Sequence, residues 1–202
     1  MDLTPDIKTW RRGLGACALA IATLAGPVAA LAQAGQRADF LAAERALQRG
    51  DSAAYIPLRQ RLQGYALFPY LEYGELSAGL DTVADARIDA FLRDYADSPL
   101  AGSLRRAWLG KLADQGRWND FLAGYDGDKS PALRCDQVRA LLGTGQRSKA
   151  FALLPDLWRT GSSLPSECDG PIAEWRAAGG LTTDLIWERI GLAMDKGDEG
   201  LA

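Results

Sequence analysis

The stretch Ser98 to Trp118 reads S-P-L-A-G-S-L-R-R-A-W-L-G-K-L-A-D-Q-G-R-W, and it sets the fold class. Leu100, Leu104, Trp108 and Leu112 recur at steps of four, which places them on one face of a helix. Ser98 supplies the N-cap, and Pro99 occupies the first helical position, where a missing N–H costs nothing. Gly116 is the expected stop, because a left-handed residue closes many helices and glycine adopts that conformation without a steric penalty.

The same grammar repeats outward. Further helical blocks are predicted at about 37–49, 52–63, 69–79, 83–95, 118–125, 131–142, 147–159, 171–178 and 183–196. Pro155 is expected to kink or split its block. No stretch alternates β-branched residues with period two, so strands are not indicated. The turns Ala46–Asp51, Leu112–Arg117, Leu141–Gln146 and Leu192–Gly197 each end an apolar helix in glycine. In three of them a side chain follows where a second helix would pack back: Ala53, Trp118 and Ala150. The expected fold is all-α, a superhelical α-solenoid of short tetratricopeptide-like hairpins, each with too little apolar surface to stand alone. A compact helical bundle is the plainer alternative.

The chain has 202 residues, of which 48% are hydrophobic and 24% charged, with a net charge of −3, so one ordinary core is within reach. Its arginines are scattered among carboxylates, which argues against a nucleic-acid partner. Histidine is absent, and this removes Ser-His-Asp and Cys-His nucleophiles and His-ligated zinc.

Residues 1–32 read as a Sec-type signal peptide. Lys8, Arg11 and Arg12 form the positive end, Leu14 to Ala25 the apolar stretch, and Ala30-Leu31-Ala32 the cleavage site. The apolar run is too short for a membrane span. Leu14-Gly15-Ala16-Cys17 looks like a lipoprotein box but lacks a preceding apolar region. Arg11-Arg12 lacks the rest of a twin-arginine context. Cleavage would remove a net +1, leave −4 on residues 33–202, and retain two cysteines, Cys135 and Cys168. An even pair in an exported chain reads as one disulfide, with two free thiols as the alternative.

Residues that could carry chemistry are few. Glu72 and Glu75 lie at i and i+3 beside Tyr70 and Tyr73, but a solvated helix face with its aromatics packed inward explains them. Asp126-Gly127-Asp128 hints at a calcium loop without the remaining ligands, and a plain turn suffices. Glu188, between Trp187 and Arg189, fits a helix-surface ion pair. Trp108, Trp118, Trp158, Trp175 and Trp187 are expected mostly in the core, with one or two free to stack on sugar rings. No cofactor, metal site or catalytic residue is assigned, and nothing in the sequence sets an oligomeric state.

Several segments, in order, resemble the N-terminal helical part of the soluble lytic murein transglycosylases. They are F-P-Y-L-E-Y (68–73), F-L-R-D-Y-A-D-S-P-L-A (91–101) and W-L-G-K-L-A-D-Q-G-R-W (108–118). The run from Cys135 to Met194 follows, through L-W-R-T-G (157–161), S-L-P-S-E-C-D (163–169), E-W (174–175) and L-T-T-D-L-I-W-E-R-I-G-L-A-M (181–194). The resemblance implies a periplasmic superhelix that forms part of a ring beneath a lysozyme-like domain. That domain cuts peptidoglycan glycan strands between MurNAc and GlcNAc, leaving 1,6-anhydro-MurNAc. The family's catalytic glutamate lies in an E-S motif followed by G-L-M-Q, and neither occurs here. The chain is therefore expected to be a truncated, non-catalytic part that meets glycan strands through the full-length enzyme. A free-standing periplasmic protein-binding repeat module is the alternative; a small-molecule enzyme using its own carboxylates has little support.

Overall fold

The structure is a computed structural model in which residues 26–198 and 200 are described. Among them are ten α-helices and no strand. The chain divides into two compact units, at Tyr65 and Ala66. Most of the expected signal segment, residues 1–25 with Cys17, lies outside the described residues.

In the first unit, α1 (Gly26–Gln48) and α2 (Ser52–Arg61) pack on one another. α1 begins at Gly26 rather than near Arg37; Pro27 sits in its first turn, where no amide donor is needed. Asp51 caps α2, accepting from the Ala54 amide at 3.1 Å. Arg61 pairs with Asp39 at 3.0 Å, and the Phe40 and Tyr65 rings lie 5.8 Å apart. Ala53, expected to pack back, is exposed; Tyr55, two residues on, is the buried side chain.

The second unit holds α3 (Phe68–Ala78), α4 (Asp85–Asp94), α5 (Pro99–Asp114), α6 (Trp118–Gly124) and α7 (Pro131–Gly143). α8 (Arg147–Trp158), a 3-10 turn (Ser166–Cys168), α9 (Asp169–Ala177) and α10 (Thr183–Lys196) follow. Two helices organise it. α5 packs on α3, α4, α6 and α7, and α7 packs in turn on α6, α8 and α9. One buried cluster gathers around Leu104, Trp108, Leu112 and Phe121, and a second around Val138, Ala150, Leu154 and Trp175. Burying each such side chain contributes about 1.5–3 kcal/mol.

The hairpin turns share one device. At Gly116 (φ 65°) the Arg117 amide donates to the Leu112 carbonyl at 2.9 Å, and the Gly116 amide to the Ala113 carbonyl at 3.1 Å. At Gly145 (φ 75°) the same two bonds run from Gln146 to Leu141 and from Gly145 to Leu142. These paired bonds satisfy the last helical carbonyls and let the next helix start within two residues. Trp118 is half-buried against the first cluster, and Ala150 is fully buried in the second. At the other end of α5, Ser98 accepts from the Leu100 amide at 3.2 Å. α8 runs through Pro155 as one helix, so the split that the sequence offered beside a kink does not occur. The proline forfeits one bond to the Phe151 carbonyl, while buried Leu154 and Leu157 hold the helix down on either side.

Candidate functional site

The residues singled out in the sequence are dispersed by the fold. Glu75 accepts from Arg87 at 2.8 Å, and Tyr73 packs toward Phe91, whereas Tyr70 points to solvent rather than inward. Asp126 pairs with Arg105, and Asp128 caps the Ser130 amide at 2.7 Å, so that loop is a tied turn. Glu188 is held by Arg159, with the guanidinium Nε 3.0 Å from both carboxylate oxygens. Trp108 and Trp175 are buried, Trp118 and Trp158 half-buried, and Trp187 is 67% exposed.

One groove, of about 530 Å³, lies where α4, α5 and α6 meet. Arg117 stands at its centre, donating to Asp85 at 2.5 Å and to Asp120 at 2.8 Å. The Trp108 indole N–H also reaches Asp85, at 3.4 Å. The Arg117 guanidinium holds the Asp85 carboxyl below the ordinary aspartate range against the opposing effect of burial, and the Trp108 donor adds a lesser pull in the same direction as Arg117. Asp85 and Asp120 in return raise the Arg117 pKa. Arg105–Asp126 closes the far wall, where Tyr125 donates to the Asp128 carbonyl at 2.7 Å. Burial pushes the Tyr125 phenol upward. A glycosidic general acid needs a carboxyl kept protonated near neutrality. In this groove Asp85 is shifted the opposite way. Asp136 is a carboxyl that burial does push up, against the opposing hydrogen bond from Arg139, but it lines neither groove.

The second groove, about 390 Å³, lies near the one disulfide among the described residues. Cys135 of α7 is bonded to Cys168 of the 3-10 turn, with α-carbons 5.0 Å apart, and both are fully buried. Trp158, Leu164 and Ile172 give the groove its apolar wall; Arg189, Arg176 and Asp169 bring the charges. Sequence reasoning missed Arg189, which looked like one more surface residue of an amphipathic helix. It is only 8% exposed. No local pattern signals this, because its partners, Trp158 and Ser162, lie 31 and 27 residues away, at the end of α8 and in the segment after it.

No protein-family model matches the chain. The soluble lytic murein transglycosylase of Escherichia coli strain K12 is 30% identical over 204 residues, which is 96% of this chain and 30% of that protein. The protein of the same name from Salmonella typhimurium is 34% identical over 142 residues, or 69% of this chain and 22% of that one. Among solved structures, an inactive mutant of the lytic transglycosylase Slt from Pseudomonas aeruginosa superposes with a TM-score of 0.74 at 35% identity. It covers 81% of this chain and 27% of that one. The 70-kDa soluble lytic transglycosylase of Escherichia coli gives 0.77 at 29% identity, covering 83% and 27%. The chain thus spans under a third of the length of the relatives it matches.

Proposed function

From a chain homologous to the soluble lytic murein transglycosylases over 204 residues, and matching their helical region in fold, we propose a non-catalytic, positioning role on murein. The chain would scaffold an enzyme that cuts glycan strands, without itself supplying the acid. One observation carries this reading: the sequence match extends over 96% of the chain, and the chain contains neither an E-S pair nor a G-L-M-Q segment. The disulfide and the homology support a location outside the cytoplasm. No helix among the described residues is long and apolar enough to cross a membrane.

The test is sedimentation of the purified chain with isolated sacculi, followed by analysis of the supernatant. The expected outcome is co-sedimentation with no anhydromuropeptide released. Release would overturn the non-catalytic assignment, and failure to co-sediment would overturn the positioning role.

A protein-binding module is the second reading, favoured by one feature. α10 exposes Ile186, Trp187 and Met194, an apolar stripe suited to a protein surface. Capture of the chain by a protein partner, with no affinity for sacculi, would select it.

A further inference from the structure

The two grooves differ in how their charges are settled. In the larger one the arginines are answered from within: Arg117 by Asp85 and Asp120, Arg105 by Asp126, and Arg93 by its neighbour Asp94. In the smaller one they are not. Arg189 is almost wholly buried, yet no carboxylate among the described residues pairs with it. It lies over the Trp158 ring, 4.2 Å from the centroid, and donates to two backbone carbonyls, Trp158 at 3.3 Å and Ser162 at 3.2 Å. Those bonds engage two of the five guanidinium N–H donors. The adjacent carboxylate, Glu188, is turned away to Arg159.

A buried cation facing only carbonyls and a ring is incompletely compensated, and burial accordingly lowers its pKa. Arg176, on the same groove, also has no ion pair among the described residues. Two arginines thus face a cavity of ligand size whose one lining carboxylate, Asp169, forms an ion pair with neither of them among the described residues, in a chain whose net charge is negative. The remaining wall is mostly apolar, built from Trp158, Leu164, Ile172 and Ala173, with Asp169 and Ser163 adding polar groups.

We infer that this groove binds the C-terminal residue of a short peptide: its carboxylate on Arg189 and Arg176, its side chain on Ile172 and Leu164, and its N–H on Asp169. The guanidinium fork pairs bidentately with a carboxylate, a partner that an uncharged sugar does not offer. The apolar wall distinguishes such a ligand from a simple anion. This site stands whether or not the chain positions an enzyme on murein.

Calorimetric titration of the full chain tests it with three probes: N-acetyl-alanyl-leucine, the C-terminal amide of the same peptide, and sodium acetate. The acid is expected to bind, with the amide and acetate each at least about tenfold weaker, as loss of a charge-assisted bond or of apolar contact requires. Because Arg189→Gln removes a donor from the Trp158 and Ser162 carbonyls and can unfold the region, the diagnostic variant is the exposed Arg176→Gln. It should keep the melting temperature and lose about tenfold in affinity for the acid. Acid binding should also shift the Trp158 indole N–H resonance. Equal binding of acid and amide, equal binding of acetate, no binding up to roughly 10 mM, or an Arg176→Gln variant of unchanged affinity would each overturn the proposal.

Discussion

Gly161 faces the carbonyl oxygen of Leu192 at a range that leaves no room for a side chain: a β-carbon placed there would stand 2.1 Å from that oxygen. The chain leaving α8 therefore passes directly against the backbone of α10, and the glycine of L-W-R-T-G is what allows it. Lys196 reinforces the crossing by donating to the Ser162 hydroxyl at 3.1 Å. Because the obstacle is helix backbone and not a flexible side chain, Gly161→Ala must push the two segments apart. Overpacking of this kind costs about 1–3 kcal/mol, which for a chain of this size corresponds to a fall of roughly 2–12 °C in melting temperature. A circular-dichroism melt of the variant that matched the parent would refute the contact.

Much of the helical framework was legible because it is written locally. Gly116 and Gly145 close their helices in the left-handed conformation, and Ser98 caps the helix it precedes. The four-residue steps from Leu100 to Leu112 face the core. Arg117 and Asp85 meet at the larger groove across 32 residues, and Arg189 finds its carbonyl acceptors 27 and 31 residues back. No periodicity encodes such meetings; they follow from how hairpins stack. The reading of Ala53 failed for a related reason. A small residue after a turn fits an interface, but which helical face turns inward is decided by the larger Tyr55.

The disulfide ties α7 to the turn before α9 across a sequence separation of 33 residues. In the chain-entropy account, a loop of that size stabilises by about 3–4 kcal/mol. The paired Cys135→Ala and Cys168→Ala variant should accordingly melt roughly 10 °C lower. Since both sulfurs are buried, the native protein should resist mild reductant that acts readily after denaturation. Equal urea midpoints for the oxidised parent and the double variant would show that the bond contributes nothing.

Acidification separates two aspartates of opposite sign. Asp85 is held low by Arg117, so its contribution is fully present above the unfolded value of 3.8 and is lost as pH falls through the depressed one. Asp85→Asn should cost up to about 1 kcal/mol at neutral pH, given the pair's partial exposure, and almost nothing near roughly pH 2. Asp136, 4% exposed, is raised by burial, so its contribution is full below 3.8 and is lost as pH rises through the raised value. Asp136→Asn should therefore flatten the decline of stability as pH rises from 3.8 through that raised value. Melting curves across this range would refute the assignment if the two variants moved with pH in the same direction.

The tryptophans offer the sharpest contrast between packing and surface. Trp175 is 3% exposed and sits in the cluster shared by α7, α8 and α9, so Trp175→Ala should cost about 3–5 kcal/mol through lost burial and the cavity left behind. Trp187, on α10, is 67% exposed, and Trp187→Ala should change stability by no more than about 0.5 kcal/mol. The two indoles also differ optically: Trp187 should supply the red-shifted, acrylamide-quenchable part of the emission, and its removal should abolish that part alone. If Trp187→Ala destabilised the isolated chain as severely as Trp175→Ala, the α10 stripe would have to be covered in solution, and the exposed surface that favours a protein partner would not exist.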